Sequence, residues 1–222
     1  MPYTSVLPEV TISELTPRKR RFFLKYLARF LLLFESVKAK GSFLDNKRVI
    51  VTAAPHQSGK DEYLMILMIL ALDIDVCYLS AKWTMRRIPI PFIKPKDIDN
   101  QGIPWPLGWL QEIVFRKFGA IPVDRKGNSG QYDSVVQELY KRDSFLLIIT
   151  PEGRFDSTRF RSSFLYLAKE LEAEVMPVQI DYEHDTLQFL NSLNLDGSEE
   201  EVIQRLRSCF DGVKGRKSRF KA

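Results

Sequence analysis

Arg48-Val49-Ile50-Val51-Thr52-Ala53-Ala54-Pro55-His56-Gln57-Ser58-Gly59-Lys60-Asp61 is the stretch on which the reading of this chain turns. Arg48 to Ala53 is a short apolar run rich in β-branched residues, and predicts a buried strand. Pro55 and the polar residues after it break the strand. Glu62 to Leu72 then predict a helix. Working outward, Val76 to Leu79, Ala120 to Val123, Phe145 to Thr150 and Val175 to Asp181 read as further strands. Leu107 to Phe118, Gln131 to Lys141, Phe160 to Leu171 and Glu199 to Phe210 read as helices between or after them. Residues 85–106 carry five prolines and predict a long loop. Strands alternating with helices imply an α/β fold with a mixed, largely parallel sheet flanked by helices.

The chain has 222 residues, 45% of them hydrophobic, enough for one sizeable core. Its net charge of +5 is unevenly placed. Arg18 to Arg21 form one basic run; Lys214, Arg216, Lys217, Arg219 and Lys221 form another. Such runs suit an anionic bilayer or another polyanion, and the C-terminal one reads as a solvated tail. Cys77 and Cys209 sit in no metal-ligand or redox spacing, which points to a reducing compartment. The first residues lack a basic region followed by an apolar run, so no secretory leader is expected.

Thr16-Pro17 reads as a helix start, a capping hydroxyl followed by proline. From there Phe23, Leu27, Phe30, Leu31, Phe34 and Val37 recur at helical spacing, with Lys25 and Arg29 on the other side and a stop near Gly41. A basic entry with a bulky apolar face suits a helix lying in a membrane interface. It equally suits an amphipathic helix packed on its own core. The apolar stretch is too short and too charged to span a bilayer.

His56 follows directly on the strand, and Asp61 lies where the helix begins. An imidazole and a carboxylate are thereby placed at the C-terminal edge of the sheet, where α/β proteins usually bind ligands. A carboxylate beside one ring nitrogen fixes the tautomer and steadies the imidazolium. The other nitrogen can take a proton from a hydroxyl as general base. A hydroxyl activated in this way could attack a thioester carbonyl without a protein nucleophile. The same spacing also fits a turn histidine and a helix-capping aspartate. Ser58-Gly59-Lys60 resembles part of a phosphate-binding loop, but Ala54 stands where the first glycine belongs and Asp61 follows the lysine in place of Ser or Thr.

Two more predicted strands end in acid–base pairs: Val123-Asp124-Arg125, and Thr150-Pro151-Glu152-Gly153-Arg154. Arginines at the rim of a sheet can hold a phosphate through paired hydrogen bonds. Gly153 allows close backbone approach, and Glu152 can orient an arginine or a second hydroxyl. Each turn alone is also an ordinary surface turn; three at successive strand ends form a pattern.

In this order the blocks resemble the glycerolipid acyltransferase superfamily, whose type member is lysophosphatidic acid acyltransferase. His56 and Asp61 match its His-x-x-x-x-Asp block. Gly119 to Arg125 match the block ending in Asp-Arg. Pro151, Glu152, Gly153 and Arg154 match Pro-Glu-Gly-Thr-Arg without the Thr, and Met176-Pro177-Val178 match the apolar fourth block. Lys82 stands where the family often has a lysine between the first two blocks. The resemblance runs from Arg48 to Asp181.

It implies an O-acyltransferase in which His56 is the base and Asp61 its partner. Lys82, Arg125, Glu152, Gly153 and Arg154 would bind the acceptor's phosphate and glycerol, and Pro177 would shape the acyl end. With the Thr missing, Arg159 or Arg161 are substitutes for Arg154. The donor would be acyl-CoA or acyl carrier protein, and the acceptor a lysophospholipid such as 1-acylglycerol-3-phosphate, with glycerol 3-phosphate or another lyso-lipid as runner-up. No metal, no cofactor and no nucleic acid are implied. Residues 1–41 would form the helical membrane-contact segment, 42–212 the acyltransferase domain and 213–222 a basic tail, peripheral or monotopic on the cytoplasmic side of a membrane. A catalytically silent lipid-binding module and a nucleotide-binding protein using Lys60 are the alternatives.

Overall fold

The computed structural model describes residues 9–18, 22–82, 84–88, 103–123, 130–153 and 159–216. Along the chain lie β1 (Glu9–Thr11), α1 (Phe22–Leu32), β2 (Lys38–Ser42), β3 (Arg48–Ala54), α2 (Gly59–Ala71), β4 (Val76–Ala81), β5 (Arg87–Ile88), β6 (Ile103–Pro104), α3 (Gly108–Lys117), β7 (Ala120–Val123), α4 (Gly130–Tyr140), β8 (Phe145–Ile149), α5 (Ser163–Glu170), β9 (Glu174–Asp181), β10 (Thr186–Phe189) and α6 (Glu199–Ser208). The chain divides into two compact units, residues 1–76 with 144–222, and residues 77–143.

The first unit is built on the strand order β1-β2-β10-β9-β3-β8. Every neighbouring pair is parallel except the β9–β10 hairpin. The expected α/β architecture with a mixed, mostly parallel sheet is what forms. Its centre is set by apolar runs: Val49 to Ala54 on β3 and all of β8 are buried. Strands buried on both faces need no polar alternation, which is why these read as continuous apolar segments. α2 is apolar on nearly every side, and Leu64, Met65, Met68 and Ile69 are almost wholly excluded from solvent.

The N-terminal segment departs from expectation. No helix starts at Thr16-Pro17: Thr16 is buried, Asp75 donates its backbone N–H to the Pro17 carbonyl at 2.9 Å, and Arg18 forms an isolated bridge with Ile74. The helix ends at Leu32 rather than near Gly41, and Lys38–Ser42 is a strand between β1 and β10. Gly41 is therefore no helix cap. It sits in the β2–β10 ladder opposite Phe189 with φ +109.

α1 packs on α2 with its basic side. Lys25 pairs with Asp73 at 3.2 Å, and Arg29 Nε donates to the Ala71 carbonyl at 3.1 Å. Arg18 donates to the Leu72 carbonyl. The two arginines satisfy carbonyls at the end of α2, where the helix dipole also favours cations. Ala28 and Leu32 fill the contact between the helices. The apolar stripe consequently points outward: Phe22, Phe23 and Phe34 are 77%, 74% and 74% exposed.

In the second unit β4 and β7 pair in parallel, from Tyr78↔Ala120 to Ala81↔Val123. β5 and β6 form a short antiparallel pair within the segment expected as loop. Glu112 on α3 bonds Arg86 and Arg116, and these guanidinium partners hold its carboxyl below the usual range.

Candidate active site

The site lies in the first unit, at the C-terminal ends of three adjacent parallel strands. β3 lies between β8 and β9. His56 follows β3, Glu152 follows β8, and Tyr182 follows β9; all three are buried. Parallel register makes this convergence inevitable, because neighbouring strands end on the same side.

The peptide between Ala54 and Pro55 is cis. His56 comes next, and its backbone N–H donates to Glu152 Oε2 at 2.9 Å. Its ring faces two carboxylates: Nδ1 lies 3.7 Å from Asp61 Oδ2 and Nε2 lies 3.4 Å from Glu62 Oε1. The distance to Asp61 exceeds a hydrogen bond.

Asp61 is also a structural residue. As the third residue of α2 it accepts the backbone N–H of Gln57 at 2.6 Å and of Ser58 at 2.7 Å, both on Oδ2. Oδ1 accepts the Tyr182 hydroxyl at 2.5 Å and Ser58 Oγ at 3.2 Å. The catalytic and capping readings of Asp61 therefore fall on one carboxylate, 1% exposed, that closes the helix entry and faces the ring. Tyr182 is held in turn by its backbone N–H to the Lys214 carbonyl at 2.9 Å. The same terminal stretch brings Gly215 against the Gln57 side chain. Burial, and then the bond to Asp61, push the Tyr182 hydroxyl well above its ordinary range, so it remains a donor.

Glu152 is a buried carboxylate, and burial raises its proton affinity although the His56 N–H opposes the rise. A carboxyl raised in the folded state contributes stability that is complete below its unfolded value, near about 4.3, and is lost as pH rises through the folded value. Glu152→Gln keeps an acceptor for the His56 N–H and removes the charge. The melting temperature of the variant, relative to wild type, is expected to become more favourable between pH 4 and pH 7 in thermal scans. A relative change in the opposite sense would contradict the raised carboxyl.

Among the other predicted site residues, Gly153 has φ +66 and lies beside Glu152. A Cβ there would meet the Arg161 guanidinium at 3.2 Å, and the Arg161 backbone N–H donates to the Pro151 carbonyl at 2.8 Å. Arg161 thus covers this turn. Arg125 and Arg154 lie outside the described residues. Lys82 is exposed at the end of β4 in the second unit, with its N–H bonded to the Val123 carbonyl at 2.8 Å. Pro177 is buried in β9 in register with Thr52 of β3, and its carbonyl accepts the Leu190 N–H at 3.0 Å. Lys60 is paired with Glu35 at 2.8 Å.

Glu62 and Tyr182 were missed from sequence. Glu62 could have been found as the residue next to Asp61 at the same helix entry; Tyr182 carries no local signal, since only sheet pairing brings it to Asp61. Asp181, Glu183 and His184 could present three ligand atoms to a metal, but Glu183 and His184 are exposed and His184 Nδ1 already meets Asp181 at 2.7 Å. No protein-family model matches the chain, and no curated protein matches it.

Proposed function

We propose that this chain is an O-acyltransferase that moves a fatty acyl group from acyl-CoA or acyl carrier protein to a hydroxyl of a lysophospholipid. 1-Acylglycerol-3-phosphate is the first candidate acceptor, and glycerol 3-phosphate or another lyso-lipid the second. The observation that carries this reading is the buried convergence of His56 and Glu152 at adjacent parallel strand ends with Asp61 at the entry of α2, in the order that the acyltransferase blocks require.

In the proposed reaction Nε2 of His56 takes the proton of the acceptor hydroxyl as its oxygen attacks the thioester carbonyl. The tetrahedral intermediate collapses with cleavage of the C–S bond, and the imidazolium returns the proton to the leaving thiolate. The products are an ester and a free thiol. Glu62, whose side chain is 54% exposed, swings aside to admit the hydroxyl. Arg161 is a described cation beside the Glu152 turn and takes the phosphate role proposed for Arg154, and Pro177 is proposed for the acyl end.

The test is incubation of purified protein with labelled acyl-CoA and a panel of lysolipids, with products read by mass spectrometry. Acylated product from at least one phosphate-bearing acceptor is expected; no product from any of them would end the proposal. A second reading, a catalytically silent lipid-binding module, draws on the 3.7 Å gap between ring and carboxylate and on the four donors that already occupy Asp61. It predicts lysolipid binding without turnover in the same assay.

The proposed setting is the cytoplasmic face of a membrane, held peripherally. Among the described residues no helix is long and apolar enough to cross a membrane. The outward aromatic face of α1 is the proposed lipid contact. Removing residues 1–40 would be a poor test, because it would delete β1 and break β2. The double substitution Phe22→Ser with Phe30→Ser changes two exposed rings instead. Sedimentation with phosphatidylglycerol-containing vesicles is expected to fall about 10-fold or more, given roughly 1.5–3 kcal/mol for full burial of one such side chain. Stability should change little, as for other exposed positions. Unchanged sedimentation would remove α1 from the membrane contact.

A further inference from the structure

We infer that Tyr182 is a positioning residue for the His56–Asp61 pair, pinning one carboxylate oxygen of Asp61 so that the other stays turned to the ring; this rests on the transferase reading above. The donors around Asp61 are divided by oxygen. Oδ1 takes the Tyr182 hydroxyl at 2.5 Å and Ser58 Oγ at 3.2 Å. Oδ2 takes the two backbone N–H groups of Gln57 and Ser58 and is the oxygen that faces His56 Nδ1. Those backbone groups come from the loop that carries His56 itself. Tyr182 is the donor that reaches Asp61 from another strand, so it ties the carboxylate to the sheet rather than to the loop.

Tyr182 is well placed to do this. It is 6% exposed, directly follows β9, and its backbone is anchored at Lys214. A buried phenol bonded to a buried carboxylate is fixed at both ends, and each partner would lose its hydrogen bond if the other turned away. None of the blocks that carry the acyltransferase resemblance includes this residue.

Glu62 approaches the ring from α2, Glu152 bonds the His56 backbone from the β8 end, and Arg216 acts on Tyr182 from the C-terminal segment. Loss of the phenol leaves these in place and takes one donor from Asp61. A carboxylate with one donor fewer is freer to turn its other oxygen away from the ring.

The experiment compares wild type, Tyr182→Phe, Asp61→Asn and the double variant in the acyl-transfer assay, with melting curves for each. Tyr182→Phe is expected to lower kcat about 10-fold, the order seen when an outer hydrogen-bond partner of a working group is removed. KM should hold, because the change removes no group that the proposal places on either substrate. In the Asp61→Asn background the same change should have no further effect, because Tyr182 acts through Asp61. Wild-type kcat in a folded Tyr182→Phe protein would overturn the positioning role while leaving the transferase reading intact. Equal losses in both Asp61 backgrounds would do the same. Absence of turnover in the wild type would overturn both. Should Tyr182→Phe fail to fold, Tyr182→Met keeps an apolar side chain in the buried position without the donor and is expected to give the same loss; wild-type kcat in that folded variant would overturn the proposal.

Discussion

Folded His56→Ala protein is expected to lose acyl transfer by about 10²- to 10⁴-fold, the range that a positioned general base supplies. The reason is that the proposed reaction has no protein nucleophile to fall back on. If the imidazole is absent, the acceptor hydroxyl must attack while still protonated or give its proton to water. The fold should survive, because the interactions that hold this loop do not run through the ring alone. The His56 backbone N–H is bonded to Glu152, and Asp61 closes the helix entry through Gln57, Ser58 and Tyr182. The ring is 4% exposed, so its removal leaves a cavity. His56→Gln fills more of that space and should be as inactive, which separates chemistry from packing. The measurement is product formation by mass spectrometry beside a thermal melt of each variant. Turnover close to wild type in either folded variant would refute His56 as the base, whatever acceptor proves correct.

Gly41→Ala is expected to destabilise the protein by about 3 kcal/mol, from backbone strain and overpacking together. For a chain of this size that lowers the melting temperature by roughly 6–12 °C. At φ +109 a side chain is strained, and a Cβ at Gly41 would collide with the Phe189 backbone oxygen. That oxygen belongs to the neighbouring strand in the ladder and cannot swing away as a side chain would. Gly212 supplies the control. It also has positive φ, at +80, but a Cβ there meets nothing within 4 Å. Gly212→Ala should therefore cost only the conformational part, about 1 kcal/mol. The difference between the two variants measures the close approach of β2 to β10. If Gly41→Ala cost no more than Gly212→Ala, that pairing would be wrong.

Gly41 also shows where reading the sequence stops. A glycine after an apolar stretch is a good helix terminator, and nothing local distinguishes that use from a tight contact inside a sheet. β2 and β10 are short and partly polar; β10 folds back on β9 as a hairpin, but β2 finds its partners only far away in the chain, and β1, at three residues, is shorter still. The pairing of β2 with β1 and β10 is non-local, so no periodicity announces it. Tyr182 escaped notice for the same reason.

Local order along the chain was sufficient for the central strands, for α2 and for the pairing of His56 with Asp61 at one helix entry. Uninterrupted apolar runs have to be buried, and five positions span only the turn between a strand and its helix. Tertiary structure alone decided that α1 turns its cations inward and its aromatic rings outward, that three parallel strands deliver Glu152, His56 and Tyr182 to one place, and that Asp61 serves the helix and the ring together. Those outcomes depend on groups distant in sequence, such as the Ala71 carbonyl, Asp73 and the Tyr182 hydroxyl, whose positions exist only once the sheet has formed.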